Sequence, residues 1–303
     1  MSDIKAIGVI GLGKMGRGMA ASLKRAGFQV TGLDASPELT ARVAQEEGIN
    51  AAGTLAQLLA DVQAVVMSLP NSAIVRKLVE GEDGIAALAP AGLLLIDTTT
   101  ADPTVTQALA VVLRARGVRF VDAPVSGGPR GAQSGDLTMF IGGAPEDLSA
   151  AEPVLSALGS KRFVIGQVGA GHIAKLVNNL LVASHLLTAS EAFRIAEAAG
   201  VNTTQLIEAV NAGSGRSGVT LYNYPSRILN KGFDSGFTMQ LMRKDVRLAI
   251  DMMAQAGLAL PISSEVGAVW AASADSIDDT EDFNRIVELD TNAVDTKSAI
   301  AYG

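Results

Sequence analysis

The chain contains no cysteine, which excludes disulfides, thiolate nucleophiles and cysteine-ligated metals. Histidine is almost as scarce, with only His172 and His185. A zinc site would have to rest on carboxylates, so no metal site is expected. Aromatic residues make up 4% of the chain, and the core must therefore be filled by Ala, Val, Leu, Ile and Met. No uncharged apolar run reaches the roughly 18 residues that a membrane span needs. The longest mostly apolar segment, 176–187, carries Asn178, Asn179, Ser184 and His185 and reads as a buried helix. An excess of basic residues is also missing, since 24 Lys and Arg face 31 Asp and Glu for a net charge of −7. Nucleic acid and anionic membranes both demand clustered cations, so neither is an expected partner. A small anion remains admissible wherever backbone N–H groups converge. The apolar run after Lys5 is short and ends in glycine, so it reads as a strand and not as a signal peptide. With the absence of cysteine, this suits a cytoplasmic protein.

The chain has 303 residues and is 48% hydrophobic, enough for two domains with substantial cores. In the first half, short apolar runs at 6–10, 29–33, 64–68, 93–96, 119–121 and 138–141 alternate with helical patterns such as 15–26, 38–47 and 103–116. Strands alternating with helices predict an α/β Rossmann-type domain around a mainly parallel sheet. Parallel strands are covered on both faces and read as continuous apolar runs, as these do. The pattern changes near Gly166. A proline-free helix is expected over 169–200, then helices at 203–211, 218–229, 238–256 and 261–272, with no strand after 164–165. We therefore expect a dinucleotide-binding domain at 1–165 and an all-α substrate or oligomerisation domain at 166–290, joined through the long helix. A flexible tail is expected at 291–303.

The first strand runs into Gly11-Leu12-Gly13-Lys14-Met15-Gly16. A G-x-G-x-x-G is weak alone, but here it follows a strand and opens a helix. Gly11 permits the tight turn, Gly13 lets the backbone approach a pyrophosphate, and Gly16 lets helix and strand pack closely. The helix N-terminus supplies N–H donors and partial positive charge. Asp34 closes the second strand, 18 residues past Gly16. That is close to the spacing of about 20 for the acid that accepts the ribose hydroxyls. A carboxylate there repels a 2′-phosphate, so NAD is expected over NADP; the competing reading is an Asp that merely caps the next helix. Two more strand ends, Ser68-Leu69-Pro70 and Asp97-Thr98-Thr99-Thr100, reach the same edge, though Thr98 reads best as turn chemistry.

Two stretches go beyond generic dinucleotide binding. In Asp122-Ala123-Pro124-Val125-Ser126-Gly127-Gly128 the serine and two glycines expose successive N–H groups. They could form an anion nest for a substrate carboxylate, or simply a Gly-rich turn. In Gly166 to Asn179, Lys175 and Asn179 are four apart and share a helix face. Lys175 could pass a proton to or from a substrate oxygen, provided burial lowers its pKa from about 10.4. On spacing alone it reads equally as a surface lysine that snorkels to water. His172, one turn earlier, and His185 read as structural. Arg216, in the loop Ser214-Gly215-Arg216-Ser217, could meet an anion or stand in solvent.

The glycine turn with its continuation Arg17-Gly18-Met19-Ala20, the segments 122–128 and 166–179, and the late pair Lys244-Asp245 occur in this order. In this the chain resembles the β-hydroxyacid dehydrogenase family over roughly residues 5–290. The resemblance implies that Lys175 is the catalytic lysine and that Ser126 and Asn179 contact substrate. It also implies that Leu69, Pro70, Thr100 and Lys244 contact the cofactor, although Lys244 otherwise reads as a solvated helix charge. Ile74 stands where relatives often have Asn, so no contact is assigned there. The expected reaction is NAD-dependent oxidation of a small anionic β-hydroxy acid, or the reverse, by a homodimer or homotetramer. The competing readings are an NADP-preferring semialdehyde reductase, an imine reductase, whose relatives usually carry another residue at the Lys175 position, and a phosphogluconate-type decarboxylase, whose relatives have a longer helical domain. A cofactor-binding sensor without turnover is the alternative of a different class.

Overall fold

The computed structural model describes residues 4–289; the tail expected at 291–303 lies outside them. The chain divides into two compact units between Lys175 and Leu176.

In the first unit, β1 (Ala6–Ile10), β2 (Gln29–Leu33), β3 (Asn50–Ala51), β4 (Ala64–Met67), β5 (Leu94–Asp97) and β6 (Arg119–Asp122) form a parallel sheet. Its order is β3-β2-β1-β4-β5-β6, so the strand order reverses between β1 and β4, the place where open α/β sheets bind ligands. Past β6 the sheet turns mixed. The chain continues as β7 (Val125–Ser126), and β8 (Thr138–Gly142) runs antiparallel to both β6 and β7. The edge strand β9 (Lys161–Gly166) is parallel to β8.

Successive strand residues point to opposite faces, and the core follows that rule. Ile7, Val9, Ala64, Val66, Leu94 and Ile96 pack on one side with Met19 and Leu23 of α1 (Lys14–Arg25) and Val154, Leu155 and Leu158 of α8 (Pro145–Leu158). Ile10, Val65, Met67 and Leu95 pack on the other. They meet Leu58 of α3 (Leu55–Ala60), Val75 and Val79 of α4 (Ser72–Glu80), Ile85 of α5 (Ile85–Leu88) and Leu109 and Leu113 of α6 (Pro103–Ala115). Side chains cap several helices by accepting a first-turn N–H: Ser36 caps α2 (Pro37–Glu47), and Thr54, Asn71 and Asp102 cap α3, α4 and α6. The sequence reading omits α3, α4, α5, α8, β3, β7 and α7 (Gly128–Ser134). Most are too short for a periodicity to develop.

The long helix α9 (Ala170–Ala198) begins in the first unit and continues into the second. The second unit adds α10 (Thr203–Ala212), α11 (Met239–Gln255) and α12 (Pro261–Ala272). Its described residues hold no strand, only an isolated bridge between Thr238 and Asp282. Trp270 is fully buried and its indole N–H donates to the Ala183 carbonyl (3.3 Å). Tyr224 stands edge-on to Phe193, with ring centroids 4.7 Å apart, and burial pushes its hydroxyl up to about 12. The helix expected at 218–229 is a π-helix over Val219–Ile228. Pro225 lacks an N–H, and the closing bond runs from the Leu229 N–H to the Tyr224 carbonyl five residues back.

Candidate active site

Each glycine of the first turn has its own geometric reason. Gly11 has φ +88°, and a Cβ there would lie 2.3 Å from the Ser68 carbonyl oxygen. A Cβ on Gly16 would lie 1.7 Å from the Gly11 carbonyl oxygen. Gly13 differs, with an ordinary φ of −62° and nothing within 4 Å of an added Cβ. The protein itself does not demand glycine at that position; a closely approaching pyrophosphate would. Gly13 also heads α1, which no side chain caps. The N–H groups of its first turn, including that of Met15, have no acceptor within the helix, and the turn holds no acidic residue. These features fit a dinucleotide phosphate. Leu12 serves differently: its side chain is in the core, and its N–H donates to Asp34 Oδ2 (2.8 Å).

Asp34 is half-buried at the end of β2. It also accepts the Ser36 N–H at Oδ1 (3.0 Å), while its own N–H donates to Thr40 Oγ1. Ser36, not Asp34, caps α2. The carboxylate is thus held against the glycine turn, with lone-pair positions left for hydroxyl donors. No Lys or Arg occurs from 35 to 41. Nearby Arg17 is ion-paired to Glu46 and Glu47.

The other strand ends are braced from within. Thr98 donates its hydroxyl to the Met67 carbonyl (2.7 Å) and is buried, in keeping with the turn reading. Thr99, to which the sequence assigns no role, accepts the Leu69 N–H at its hydroxyl (3.1 Å) and so holds the Leu69-Pro70 loop. Pro70 is exposed, and Leu69 and Thr100 are half-buried. Ile74 lies exposed on α4. Ser126 ends β7, half-buried, and Gly127 and Gly128 follow with φ of +127° and +63°. Both backbones lie where side chains other than glycine are strained.

Along α9 the buried positions Gly171, His172, Lys175, Leu176, Asn179, Ala183, Leu186 and Leu187 form one stripe. Its first turns carry the polar His172, Lys175 and Asn179, and beyond them only Ser190 interrupts the apolar members. Lys175 is only 7% exposed, which removes the snorkelling reading. His172 is fully buried, its Nε2 3.8 Å from Asp97 Oδ2. His185 is half-buried and Arg216 exposed.

Asp122, quoted in the sequence without a role, proves central to how α9 begins. It ends β6 with no exposed surface. Its Oδ1 accepts the Gly169 N–H (2.7 Å) and its Oδ2 the His172 N–H (3.0 Å). An acid at a buried strand end before a glycine-led helix is the signal that could have found it. Burial pushes its carboxyl from the ordinary 3.8 to about 6, against the lowering effect of these N–H donors. The folded state therefore binds more protons than the unfolded one between pH 4 and 6. Stability falls as pH rises through that window, by about 3 kcal/mol for this group alone. Asp122→Asn should remove that dependence. Urea unfolding at pH 4.5 and pH 7 should show the variant gaining on the wild type as pH rises. A difference that stays constant would contradict the assignment.

The remaining candidates belong to the second unit. Asn179 donates its amide N–H to Asp245 Oδ2 (2.6 Å) and accepts from Asn178 Nδ2 (3.0 Å). Asp245 is fully buried, and its Oδ1 lies 2.8 Å from Lys244 Nζ. The Lys244 side chain is 15% exposed, so it is not the solvated charge that its helix position suggests. Asp245, named in the sequence only as a neighbour of Lys244, orients both it and Asn179. Among the described residues no group of three or more His, Asp or Glu is placed to hold a metal, and no helix is long and apolar enough to cross a membrane.

Comparison with known proteins places this geometry among relatives. Residues 6–166 match the family described as the NAD binding domain of 6-phosphogluconate dehydrogenase. Residues 169–289 match that described as NAD-binding of NADP-dependent 3-hydroxyisobutyrate dehydrogenase. The chain is 33% identical to 2-(hydroxymethyl)glutarate dehydrogenase of Eubacterium barkeri, covering 85% of each protein. It is 32% identical to 3-hydroxyisobutyrate dehydrogenase of Pseudomonas aeruginosa over 93% of this chain and 97% of that one. Among solved structures, the Mycobacterium tuberculosis 3-hydroxyisobutyrate dehydrogenase with L-serine superposes with a TM-score of 0.86 at 30% identity, over 94% and 98% of the two chains.

Proposed function

Because the chain belongs to the β-hydroxyacid dehydrogenase family and is a hydroxyacid dehydrogenase with NAD(P)-binding domains, we propose that it oxidises a small β-hydroxy acid with NAD, using Lys175 for proton transfer. The observation that carries this reading is the burial of Lys175 on the polar stretch of the α9 stripe, one turn before Asn179. For base catalysis the amine has to give up its proton well below the ordinary lysine value of about 10.4, and withdrawal from water works in that direction. The bound nicotinamide supplies the hydride acceptor. The Lys175 amine takes the proton of the substrate hydroxyl as the carbinol hydrogen leaves, or returns it in the reverse direction. Asn179, oriented by Asp245, holds the substrate hydroxyl. Ser126, Gly127 and Gly128 receive its carboxylate through hydroxyl and backbone N–H groups.

For the cofactor, the first turn of α1 from Gly13 through Met15 to Gly16 holds the pyrophosphate, with Gly11 and Leu12 shaping the turn and Asp34 accepting the adenosine ribose hydroxyls. Leu69, Pro70 and Thr100 flank the nicotinamide end, and Lys244 adds a cation. The NAD preference is supported by the fixed Asp34 carboxylate and by the lack of Lys or Arg from 35 to 41. Arg17 is tied to two glutamates, and Glu38 adds negative charge.

The test is an NAD-linked oxidation assay over 3-hydroxyisobutyrate, glycerate, 3-hydroxypropionate, threonate, 2-(hydroxymethyl)glutarate and L-serine, with NAD and NADP compared on the best substrate. We expect turnover with at least one of these acids and a higher kcat/KM with NAD. Turnover with none of them would remove the substrate class. A clear NADP preference would overturn the role of Asp34.

A further inference from the structure

Asp122 is costly for a strand end. It sits without exposed surface, and burying a carboxylate is tolerated only where donors compensate it. The donors here are the N–H groups of Gly169 and His172, at 2.7 and 3.0 Å. Those groups belong to the start of α9, where a helix has no acceptors of its own. Gly169 precedes the helix and has no side chain to serve as a cap. The carboxylate acts as that cap from another element, and its charge faces the positive end of the helix dipole.

The surroundings are shaped for this contact. A Cβ on Gly171 would lie 2.8 Å from Asp122 Oδ2 and 2.4 Å from the Phe140 carbonyl oxygen. A Cβ on Gly142 would lie 2.5 Å from Asp122 Oδ1. Glycines on two elements therefore let the helix start and β8 close onto one carboxylate. The titratable groups around it are Asp97, its register partner on β5, and His172 on α9, whose Nε2 is 3.8 Å from Asp97 Oδ2. Lys175 follows one turn along the helix. The facing β8 positions, Phe140 and Gly142, carry no charge.

We propose that Asp122 is the positioning residue for Lys175, clamping the first turn of α9 to the end of β6 and so fixing where the amine stands. The proposal rests on the reading of Lys175 as the proton-transfer group. Lys175 is three residues beyond His172, so a shift of the first turn moves it directly. A misplacement of about 1 Å near reacting atoms can cost on the order of 100-fold in rate. Ionised Asp122 accepts both N–H groups. Once protonated it presents a hydroxyl in place of one acceptor, so the clamp loosens as the carboxyl titrates.

The experiment compares the wild type with D122N, G171A, K175A and the D122N/K175A double variant on the best acid of the panel, measuring kcat, NAD affinity and the pH profile. D122N keeps the shape and loses the charge. G171A keeps the charge and pushes the helix start away. We expect each to lower kcat by about 10- to 100-fold with NAD affinity within about twofold of wild type. The double variant should be no slower than K175A. Besides the acid limb set by Lys175 as base, which both share, the wild-type profile should show a further fall near pH 6 that D122N lacks. If K175A is severely impaired while D122N keeps wild-type kcat and the further fall near pH 6, the positioning role is overturned and the Lys175 reading stands. Full turnover in K175A would instead remove the premise, and the inference with it. Should D122N fail to bind NAD, G171A decides by kcat: a fall of the expected size supports the positioning role, and a wild-type value beside an impaired K175A overturns it.

Discussion

Lys175→Ala should lower turnover at least ~100-fold, the usual scale for loss of a general acid–base group, with NAD still bound. Lys175 is the one buried lysine of the described residues, and it lies on the stripe that also carries His172 and Asn179. Alanine removes the amine and leaves nothing at that position able to exchange a proton. The groups proposed to hold the pyrophosphate and adenosine ribose, Gly11 to Gly16 and Asp34, lie on the turn after β1, the start of α1 and the residue after β2, so cofactor affinity should change little. A loss confined to kcat marks a group acting in the transition state, whereas a rise in KM alone would mark uniform binding. Lys175→Arg is the sharper companion. It preserves positive charge but cannot release a proton near neutral pH, since a guanidinium stays protonated above pH 12. It too should be slow. Wild-type turnover in either variant would take the proton-transfer role away from this residue.

Gly16→Ala and Gly13→Ala should part company although both replace a glycine of one motif by the smallest side chain. At Gly16 the new methyl meets the Gly11 carbonyl oxygen at 1.7 Å. Neither partner can move without separating α1 from β1, because both are backbone. Overpacking of this kind costs about 1–3 kcal/mol or more, and the turn proposed to receive the pyrophosphate is distorted with it. At Gly13 the methyl meets nothing of the protein within 4 Å, and φ there is already −62°. A glycine-to-alanine change at such a position stabilises by about 0.4–1 kcal/mol through the unfolded chain. We therefore expect Gly13→Ala to melt no lower than wild type yet bind NAD about tenfold or more weakly, because the methyl occupies the approach of the phosphates. Gly16→Ala should lose both stability and binding. Thermal unfolding with a cofactor titration separates the two, and unaltered NAD affinity in Gly13→Ala would show that the phosphates do not lie on this turn.

The differences between what the residues announce and what the structure holds have local causes. The six apolar runs of the first half are strands within a residue or so at either end, since a buried parallel strand needs an unbroken apolar segment and little else has one. Helix α5 spans four residues and β7 two, too short for any period. β7 exists because β8 pairs with it, which depends on residues a dozen positions away. The helical pattern at 218–229 is legible as a helix, but periodicity over ten residues does not separate 3.6 residues per turn from the wider π-helix that Pro225 accompanies.

The site divides in the same way. The positions of Gly11, Gly13, Gly16, Asp34, Lys175 and Asn179 follow from motif spacing, because a turn, a helix face and a strand end are properties of neighbouring residues. What Asp122, Thr99 and Asp245 do does not follow, since their partners lie 47, 30 and 66 residues away. By itself the sequence determined the main parallel strands, the longer helices between and after them and the glycine turn after β1, which are matters of short-range sterics and local hydrogen bonding. Tertiary packing alone decided that Lys175 is withdrawn from water and that the helix bearing it is capped by a carboxylate from another strand. Burial and capping at a distance are set by which surfaces the folded chain brings together, and no local spacing encodes them.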